Sequence, residues 1–409
     1  MIEAVPLRLR RGDVVAVRLP PGEAWRGIAE SAWAGEAALL PVDHRLPEAA
    51  AQDLVSRAAP TVLISTSGWH RLPGGRSADA SIGLIIPTSG SSARPRLVEL
   101  TRHAVEAAVS ASLAALEADE ADGWVSCLPL AHIGGLLVVL RSLLAGSPLV
   151  FRQSDDLLPP AGVRFIAVVP TLLARTLDAG TDLGGYAAIV VGGGGMEDGL
   201  ARRAKVAGAR CVVTYGLTQS CGGIVYDGLP LPGVSVRTSD TGEVELGGPT
   251  LMRGYRDGDA GDKSTPEQSD FTADGWLRTG DAGWIDDRGR LRVRGRLDDL
   301  IVSGGEKIWP GDVEAALRGH PGVADCAVFG RPDATWGRRV VAAVVPRDPD
   351  APPTLAELRD RVGAILGRHR APRELLIVGS LPRTGLGKVR RGSLGAGPGG
   401  GRLGDDGAS

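Results

Sequence analysis

The stretch FIAVVPTLLARTLDAGTDLGGYAAIVVGGGGMEDGLARRAKVAGARCVVTYGLTQS, residues 165–220, decides the fold class. Three apolar runs, Phe165–Val169, Ala187–Val191 and Cys211–Thr214, alternate with helix-patterned segments at Thr171–Leu177 and Glu197–Val206. Apolar runs without polar alternation are strands buried on both faces, and strands separated by helices pair in parallel. Sheets of this kind bind ligands at the carboxyl ends of their strands. Here those ends carry Gly192–Gly195 and the loop Tyr215-Gly216-Leu217-Thr218-Gln219.

Outward from this core the pattern continues and then changes. Val14–Leu19 and Ala37–Val42 read as strands and Pro47–Ala59 as a helix. Ser81–Ile86 is a strand running into PTSGSSARPR, and Thr101 can cap a helix with Val105, Val109, Leu113 and Leu116 on one face. Residues 230–295 are turn-rich with short apolar runs, the signature of a β-rich subdomain. Beyond GRLDD (295–299), the runs Val323–Phe329, Val340–Val345 and Leu375–Val378 and a helix at Leu355–Leu366 predict a compact α+β unit of ordinary domain size. The expected class is α/β. A large N-terminal domain (1–297) of parallel-sheet α/β layers carries the β-rich subdomain. A small mobile α+β C-terminal domain (298–394) and a Gly-rich disordered tail (395–409) follow.

Composition removes several functional classes. The chain has 46 Lys plus Arg against 48 Asp plus Glu, a formal net charge of −2. That gives no electrostatic case for nucleic acid or an anionic membrane. The most apolar stretch, Ile133–Ala145, contains Arg141 and is too short to span a bilayer, and the N-terminus has no secretory h-region. Cys127, Cys211, Cys221 and Cys326 form no CxxC pair, so neither a zinc site nor a disulfide framework is indicated. A cytoplasmic location is expected, and a homodimer is allowed. Lysine is scarce: only Lys205, Lys263, Lys307 and Lys388 occur, beside 42 arginines. A lysine retained in such a chain is informative, because the two cations differ in geometry and hydration.

Four motifs carry chemistry. Thr88-Ser89-Gly90-Ser91-Ser92-Ala93-Arg94-Pro95-Arg96 offers four hydroxyls, flexible N–H groups and two cations, a set suited to a polyphosphate. It is not a Walker A loop, and taken alone it reads equally well as a solvent-exposed serine loop. In Thr214–Gln219 a strand-end tyrosine can stack on a base and Thr218 can meet a phosphate oxygen or a metal; an ordinary strand-to-loop turn is the alternative. In Arg278-Thr279-Gly280-Asp281 and Gly295-Arg296-Leu297-Asp298-Asp299, a carboxylate can accept from both ribose hydroxyls and an arginine can donate; the alternative is a hairpin turn with surface charge. Pro382-Arg383-Thr384-Gly385-Leu386-Gly387-Lys388 is a glycine loop ending in a rare lysine, which would otherwise be solvated and inert.

Together, over roughly residues 80–391, these motifs resemble the adenylate-forming superfamily of acyl-CoA synthetases, nonribosomal adenylation domains and luciferases. TSGSSARPR resembles its phosphate loop, YGLTQ its YGxTE motif, RTGD and GRLDD its ribose and hinge motifs, and PRTGLGK its catalytic-lysine loop. Within the superfamily, YGLTQSCGGIVYDGLPLPGV (215–234), CLPLAHIGGLLVVLRSLLAG (127–146) and VSGGEKIWPGDVEAAL (302–317) are similar to the o-succinylbenzoate–CoA ligase family of menaquinone biosynthesis in its short actinobacterial form. The resemblance implies ATP, Mg²⁺ and coenzyme A, with a small carboxylic acid as substrate. It implies roles as follows. Thr88, Ser89, Gly90, Ser91 and Ser92 hold the β- and γ-phosphates, and Arg96 offsets their charge. Gly192, Gly193, Gly194, Tyr215 and Gly216 flank the adenine. Thr218 and Gln219 meet Mg²⁺, Thr218 also the α-phosphate. Asp281 and Arg296 hold the ribose. His132 lines the acyl pocket or gates the pantetheine tunnel. Gly304, Gly305 and Lys307 lie along coenzyme A. Lys388 bridges carboxylate and α-phosphate, and Asp298 is the hinge.

Two departures stand out. Arg96 replaces the family's usual lysine, in keeping with the chain's arginine bias. Gln219 replaces a glutamate that helps hold Mg²⁺, and an amide oxygen can ligate a hard cation only without charge. Gln219 is then either a weakened metal ligand or part of a repacked site. Three functions follow in order: ligation of o-succinylbenzoate to CoA, activation of another aryl or acyl acid for CoA or a carrier protein, and nucleotide binding with weakened catalysis.

Overall fold

The computed structural model describes residues 8–88, 95–256, 270–383 and 389–395. The chain forms two compact units. One comprises the described residues within Met1–Ser239, Glu245–Thr279 and Ile285–Arg292; the other those within Asp240–Val244, Gly280–Trp284 and Val293–Ser409.

The first unit holds two seven-stranded sheets. In one the spatial order is Gly254–Tyr255, Leu97–Thr101, Ile82–Pro87, Ala38–Pro41, Val14–Arg18, Val62–Ser65, Gly68–Arg71. Its centre is parallel, with Val15 opposite both Leu39 and Val62. The central strand is apolar up to Val17 because both of its faces are covered: Val14, Val15, Ala16 and Val17 are completely buried.

The other sheet contains the stretch that predicted the fold. Its order is Leu229–Pro230, Gly222–Tyr226, Cys211–Leu217, Ala188–Val191, Val163–Val168, Gly123–Ser126, Leu149–Phe151. The expected runs pair in parallel, with Ile189 opposite Ile166 and Cys211. Helices Pro170–Asp178 and Asp198–Val206 form where expected. The helix Arg102–Leu116 begins at Thr101, whose Oγ1 accepts from the Ala104 N–H at 3.0 Å. It touches strands of both sheets and buries Val105, Val109 and Leu116, while Leu113 is only half-buried.

Two local expectations change. The strand beginning at Cys211 continues to Leu217 because it pairs antiparallel with Gly222–Tyr226. Arg278–Asp281 is not a turn: it lies inside the strand Leu277–Ile285, part of a four-stranded sheet.

The second unit is α+β. Its sheet runs Glu306–Ile308, Ile301–Ser303, Gly337–Pro346, Val323–Asp333, with Glu374–Ile377 parallel to Gly337–Pro346. Helices Pro310–Arg318 and Leu355–Leu366 cover one face through Val313, Leu317, Leu358 and Val362. Thr354 and Glu357 form a reciprocal capping box at the start of the second helix. The other sheet face packs Phe329 and Val341 against Leu381, Val389 and Leu394.

Candidate nucleotide and acyl site

In the first unit the base of the phosphate loop is closed. Thr88 N–H donates to the Arg96 carbonyl at 2.9 Å, and Arg96 N–H donates to Thr88 Oγ1 at 3.1 Å. Ser89, Gly90, Ser91 and Ser92 lie outside the described residues. The closure follows from topology: Ile82–Pro87 and Leu97–Thr101 are antiparallel neighbours, so the loop joins two paired strands.

Arg96 projects its guanidinium 3.3 Å above the Tyr255 ring centroid and pairs with Asp270 at 3.0 Å. Tyr255 reaches this place because Gly254–Tyr255 adds to the sheet edge, Tyr255 opposite Val98. Its phenol oxygen accepts from Gln219 Nε2 at 3.2 Å, and the Gln219 backbone carbonyl accepts from Met252 N–H at 2.7 Å. Arg96 and Gln219, far apart in sequence, thus meet at one tyrosine.

The second strand-end loop is shaped by close backbone approach. A Cβ at Gly216 would overlap the Gly222 carbonyl, so only glycine fits there. Tyr215 lies opposite Val225, just before a register shift at Gly216. Thr218, Gln219 and Ser220 form a 3₁₀ turn, held by Leu217 N–H donating to Ser220 Oγ at 2.8 Å. Gly192, Gly193 and Gly194 follow the neighbouring strand Ala188–Val191. A Cβ at Gly192 would press on Thr214 Oγ1, and Gly193 has φ +78°.

His132 is the residue preceding the helix Ile133–Ala145, with no capping bond from its side chain, and that helix's Ile133 and Leu137 lie beside Gly222. Burial lowers the His132 pKa; Asp43 opposes that shift and Arg45 adds to it.

In the second unit, Arg296 contacts Asp281 at 3.4 Å and Asp298 at 3.6 Å. Asp281 is buried, and Gly280 donates to the buried Glu243 carboxylate at 2.9 Å. Gly304 and Gly305, with φ +59° and +86°, make the turn between Ile301–Ser303 and Glu306–Ile308. Gly304 N–H donates to the Trp336 carbonyl at 2.9 Å, and the Arg373 guanidinium lies 3.7 Å from the Trp336 ring. Lys307 is exposed beside this turn. Lys388 lies outside the described residues, but the flanks of its loop are fixed. Arg383 bridges to Val389, Arg390 N–H donates to the Pro382 carbonyl at 2.8 Å, and Arg391 binds Glu314 at 2.7 Å and Asp299 at 3.0 Å.

Tyr255, Asp270, Glu243, Trp336 and Arg391 are participants that motif reading passes over. The partners lie too far apart in sequence to share a motif: Tyr255 is 36 positions from Gln219, and Asp270 is 174 from Arg96.

The donor set suits a hard cation brought in by phosphate. Thr218 supplies a hydroxyl. Gln219 spends its amide nitrogen on Tyr255, which leaves the carbonyl oxygen as its ligating end. Among the described residues no group of three or more His, Cys, Asp or Glu could hold a metal ion.

Residues 73–256 match the family model described as AMP-binding enzyme, and residues 312–388 match the AMP-binding enzyme C-terminal domain. The chain belongs to this family of AMP-binding enzymes. Among its relatives is a probable 2-succinylbenzoate–CoA ligase of Mycobacterium tuberculosis (strain CDC 1551 / Oshkosh), 39% identical over 386 residues that cover 90% of this chain and 97% of the relative. Two solved structures share the fold. The o-succinylbenzoate CoA synthetase (MenE) of Bacillus subtilis, in complex with the acyl-adenylate intermediate OSB-AMP, has a TM-score of 0.81 at 24% identity, over 94% of this chain and 88% of that one. ATP-bound MatB of Rhodopseudomonas palustris has a TM-score of 0.83 at 22% identity, over 95% and 89%.

Proposed function

We propose that this chain ligates 2-succinylbenzoate to coenzyme A in two ATP-driven half-reactions. The class, an AMP-forming acid–thiol ligase, goes with the family. The acid is carried by one observation, the 39% identity to a probable 2-succinylbenzoate–CoA ligase over nearly the full length of both chains. The solved structures, at 22–24% identity, share the fold and do not by themselves name the acid.

In the first half-reaction a carboxylate oxygen attacks the α-phosphorus of ATP, forming the acyl–O–P bond as the bond to pyrophosphate breaks. Two anions must approach, so positive charge aimed at the phosphates lowers the barrier. Arg96 supplies it at the loop base, and Lys388 bridges carboxylate and α-phosphate. Mg²⁺, when bound beside Thr218 and Gln219, supplies further neutralisation of the phosphates. Tyr215, Gly216 and Gly192–Gly194 flank the adenine, and Asp281 and Arg296 hold the ribose. In the second half-reaction the CoA sulfur attacks the acyl carbonyl, its proton is lost to solvent or base, and AMP leaves. The domain from 298 onward rotates about Asp298 between the two, replacing Lys388 with Gly304, Gly305 and Lys307 along the pantetheine. Neutral His132 lines the acyl pocket or the tunnel mouth. A cytoplasmic location suits an enzyme that consumes ATP and CoA.

A CoA-release assay across a carboxylic-acid panel tests this reading. ATP-dependent thioester formation should be at least tenfold more efficient with 2-succinylbenzoate than with benzoate, malonate or medium-chain fatty acids. Turnover of another acid with none of 2-succinylbenzoate would overturn it.

A further inference from the structure

Arg141 lies in the core of the first unit, 4% exposed, on the helix Ile133–Ala145. Its Nε–H donates to Ser112 Oγ at 2.9 Å, and its Nη2 donates to the Tyr226 phenol oxygen at 3.3 Å. The two hydroxyls bond each other at 2.7 Å, which closes a buried triangle. The guanidinium also sits 5.2 Å from the Trp124 ring centroid, and among the described residues no carboxylate pairs with it. A buried cation with only neutral partners costs stability, and a methionine would fill the site without that cost. Its place in the fold shows what the charge does instead. Ile133, Leu137 and Arg141 recur every four residues and so share one face of their helix. That face meets the strand Gly222–Tyr226 at both ends, Ile133 and Leu137 beside Gly222 and Arg141 at Tyr226. Ser112, on the helix Arg102–Leu116, adds a third point of attachment.

The same strand is one arm of the hairpin that carries the second strand-end loop. Tyr226 lies opposite Thr214, and beyond the register shift Gly216 lies opposite Gly223. The tip turns back through Cys221 and Gly222, with φ +58° and +82°. A non-glycine residue at such a φ is held there by its surroundings. A slip of one residue would carry the Tyr226 phenol to the other face of the sheet and leave the guanidinium without it. We propose that Arg141 is a positioning residue of the nucleotide site: by holding the Tyr226 hydroxyl in the core it fixes the register of the hairpin 211–226, and with it the places of Tyr215, Gly216, Thr218 and Gln219. This rests on the nucleotide role given to those four residues above, but not on the identity of the acid.

The test reads Mg·ATP affinity by calorimetry, thermal midpoint and amide hydrogen exchange, all in the full chain. Arg141→Met leaves the two hydroxyls bonded to each other, so no polar group is orphaned. Its midpoint should stay at or above that of wild type. Mg·ATP should bind about fivefold more weakly, and the amides of residues 214–220 should exchange about fivefold faster. Exchange in the strands Val163–Val168 and Ala188–Val191 should not change. Tyr226→Phe removes a single oxygen, carries the test if Arg141→Met folds poorly, and should also weaken Mg·ATP binding about fivefold. Because both substitutions break one contact, the double variant should bind no more than about twofold worse than either single one. A role in packing alone would lower the midpoint and leave nucleotide affinity and local exchange in place. Wild-type affinity in either single variant, losses that add in full in the double, or exchange that rises evenly across the sheet would overturn the proposal. A wild type that binds Mg·ATP but is inactive on 2-succinylbenzoate would sink the proposed substrate and leave this test intact.

Discussion

At the scale of single residues, His132 makes a pH-dependent prediction with a fixed sign. Its folded pKa is lowered from 6.5, chiefly by burial, so below about pH 6.5 the unfolded chain binds a proton that the folded chain refuses. The stability associated with neutral His132 is complete above that pH and drains away as pH falls toward the folded value. Melting curves at pH 7.5 and 5.5 should show a smaller acid loss in His132→Gln than in wild type; equal losses would show that His132 does not drive the acid limb. Lys388→Ala makes a separate prediction about the order of chemistry. One charge contact aimed at a developing anion is worth roughly 10²–10³ in rate. Pyrophosphate exchange should fall by about that factor, while thioester formation from supplied acyl-AMP is spared. Equal loss in both half-reactions would contradict the bridging role.

At the scale of elements, the short helix Arg391–Gly395 shows how the chain just after Lys388 is anchored. Arg391 binds both carboxylate oxygens of Glu314 and also Asp299. Glu314 is buried and additionally accepts from Val328 N–H at 2.8 Å. Arg391→Met leaves that carboxylate paired with Arg318, at 3.5 Å. Breaking a buried pair costs about 3–5 kcal/mol, and with Arg318 still present the expectation is about 2–4 kcal/mol off the second unit, seen as a lower midpoint in chemical denaturation. Adenylation should fall further than thioesterification, because the residues flanking the Lys388 loop lose their anchor. A variant as stable as wild type would remove Arg391 from this role. Such anchors mark the limit of what sequence discloses. Ala188–Val191 and Leu355–Leu366 were legible because continuous apolar runs and capped amphipathic patterns are local properties. Arg391 was not, because Glu314 lies 77 positions away and nothing local distinguishes this arginine from 41 others. The strand character of Arg278–Asp281 was hidden for the same reason: glycine and charge read as a turn until its sheet partners are known. Motif residues such as Gly216 were found by resemblance, and the structure supplies the cause, a carbonyl that leaves no room for a Cβ.

At the scale of the whole molecule, the proposed cycle needs one pivot that bends and otherwise rigid bodies. Asp298 sits in the 3₁₀ turn Leu297–Asp299, its side chain largely exposed and 3.6 Å from Arg296. That ion pair is exposed enough to add little stability, so the residue is free to serve motion instead. Asp298→Pro locks φ near −65°, a value a 3₁₀ turn tolerates, and denies the excursion that a rotation requires. The same substitution also removes a charge, so Asp298→Asn is the control that keeps the backbone free. The proline variant should keep either pyrophosphate exchange or thioester formation from supplied acyl-AMP at near wild-type rate, according to the state in which it is held. The complete reaction should fall by at least tenfold, and the asparagine variant should run both half-reactions and the whole cycle. Thermal melts of all three proteins check that the turn itself survives, since proline also restricts Leu297 before it. A proline variant that completes the full reaction at wild-type speed would mean that the chain does not turn at Asp298, and the pivot would have to be sought elsewhere between the two units.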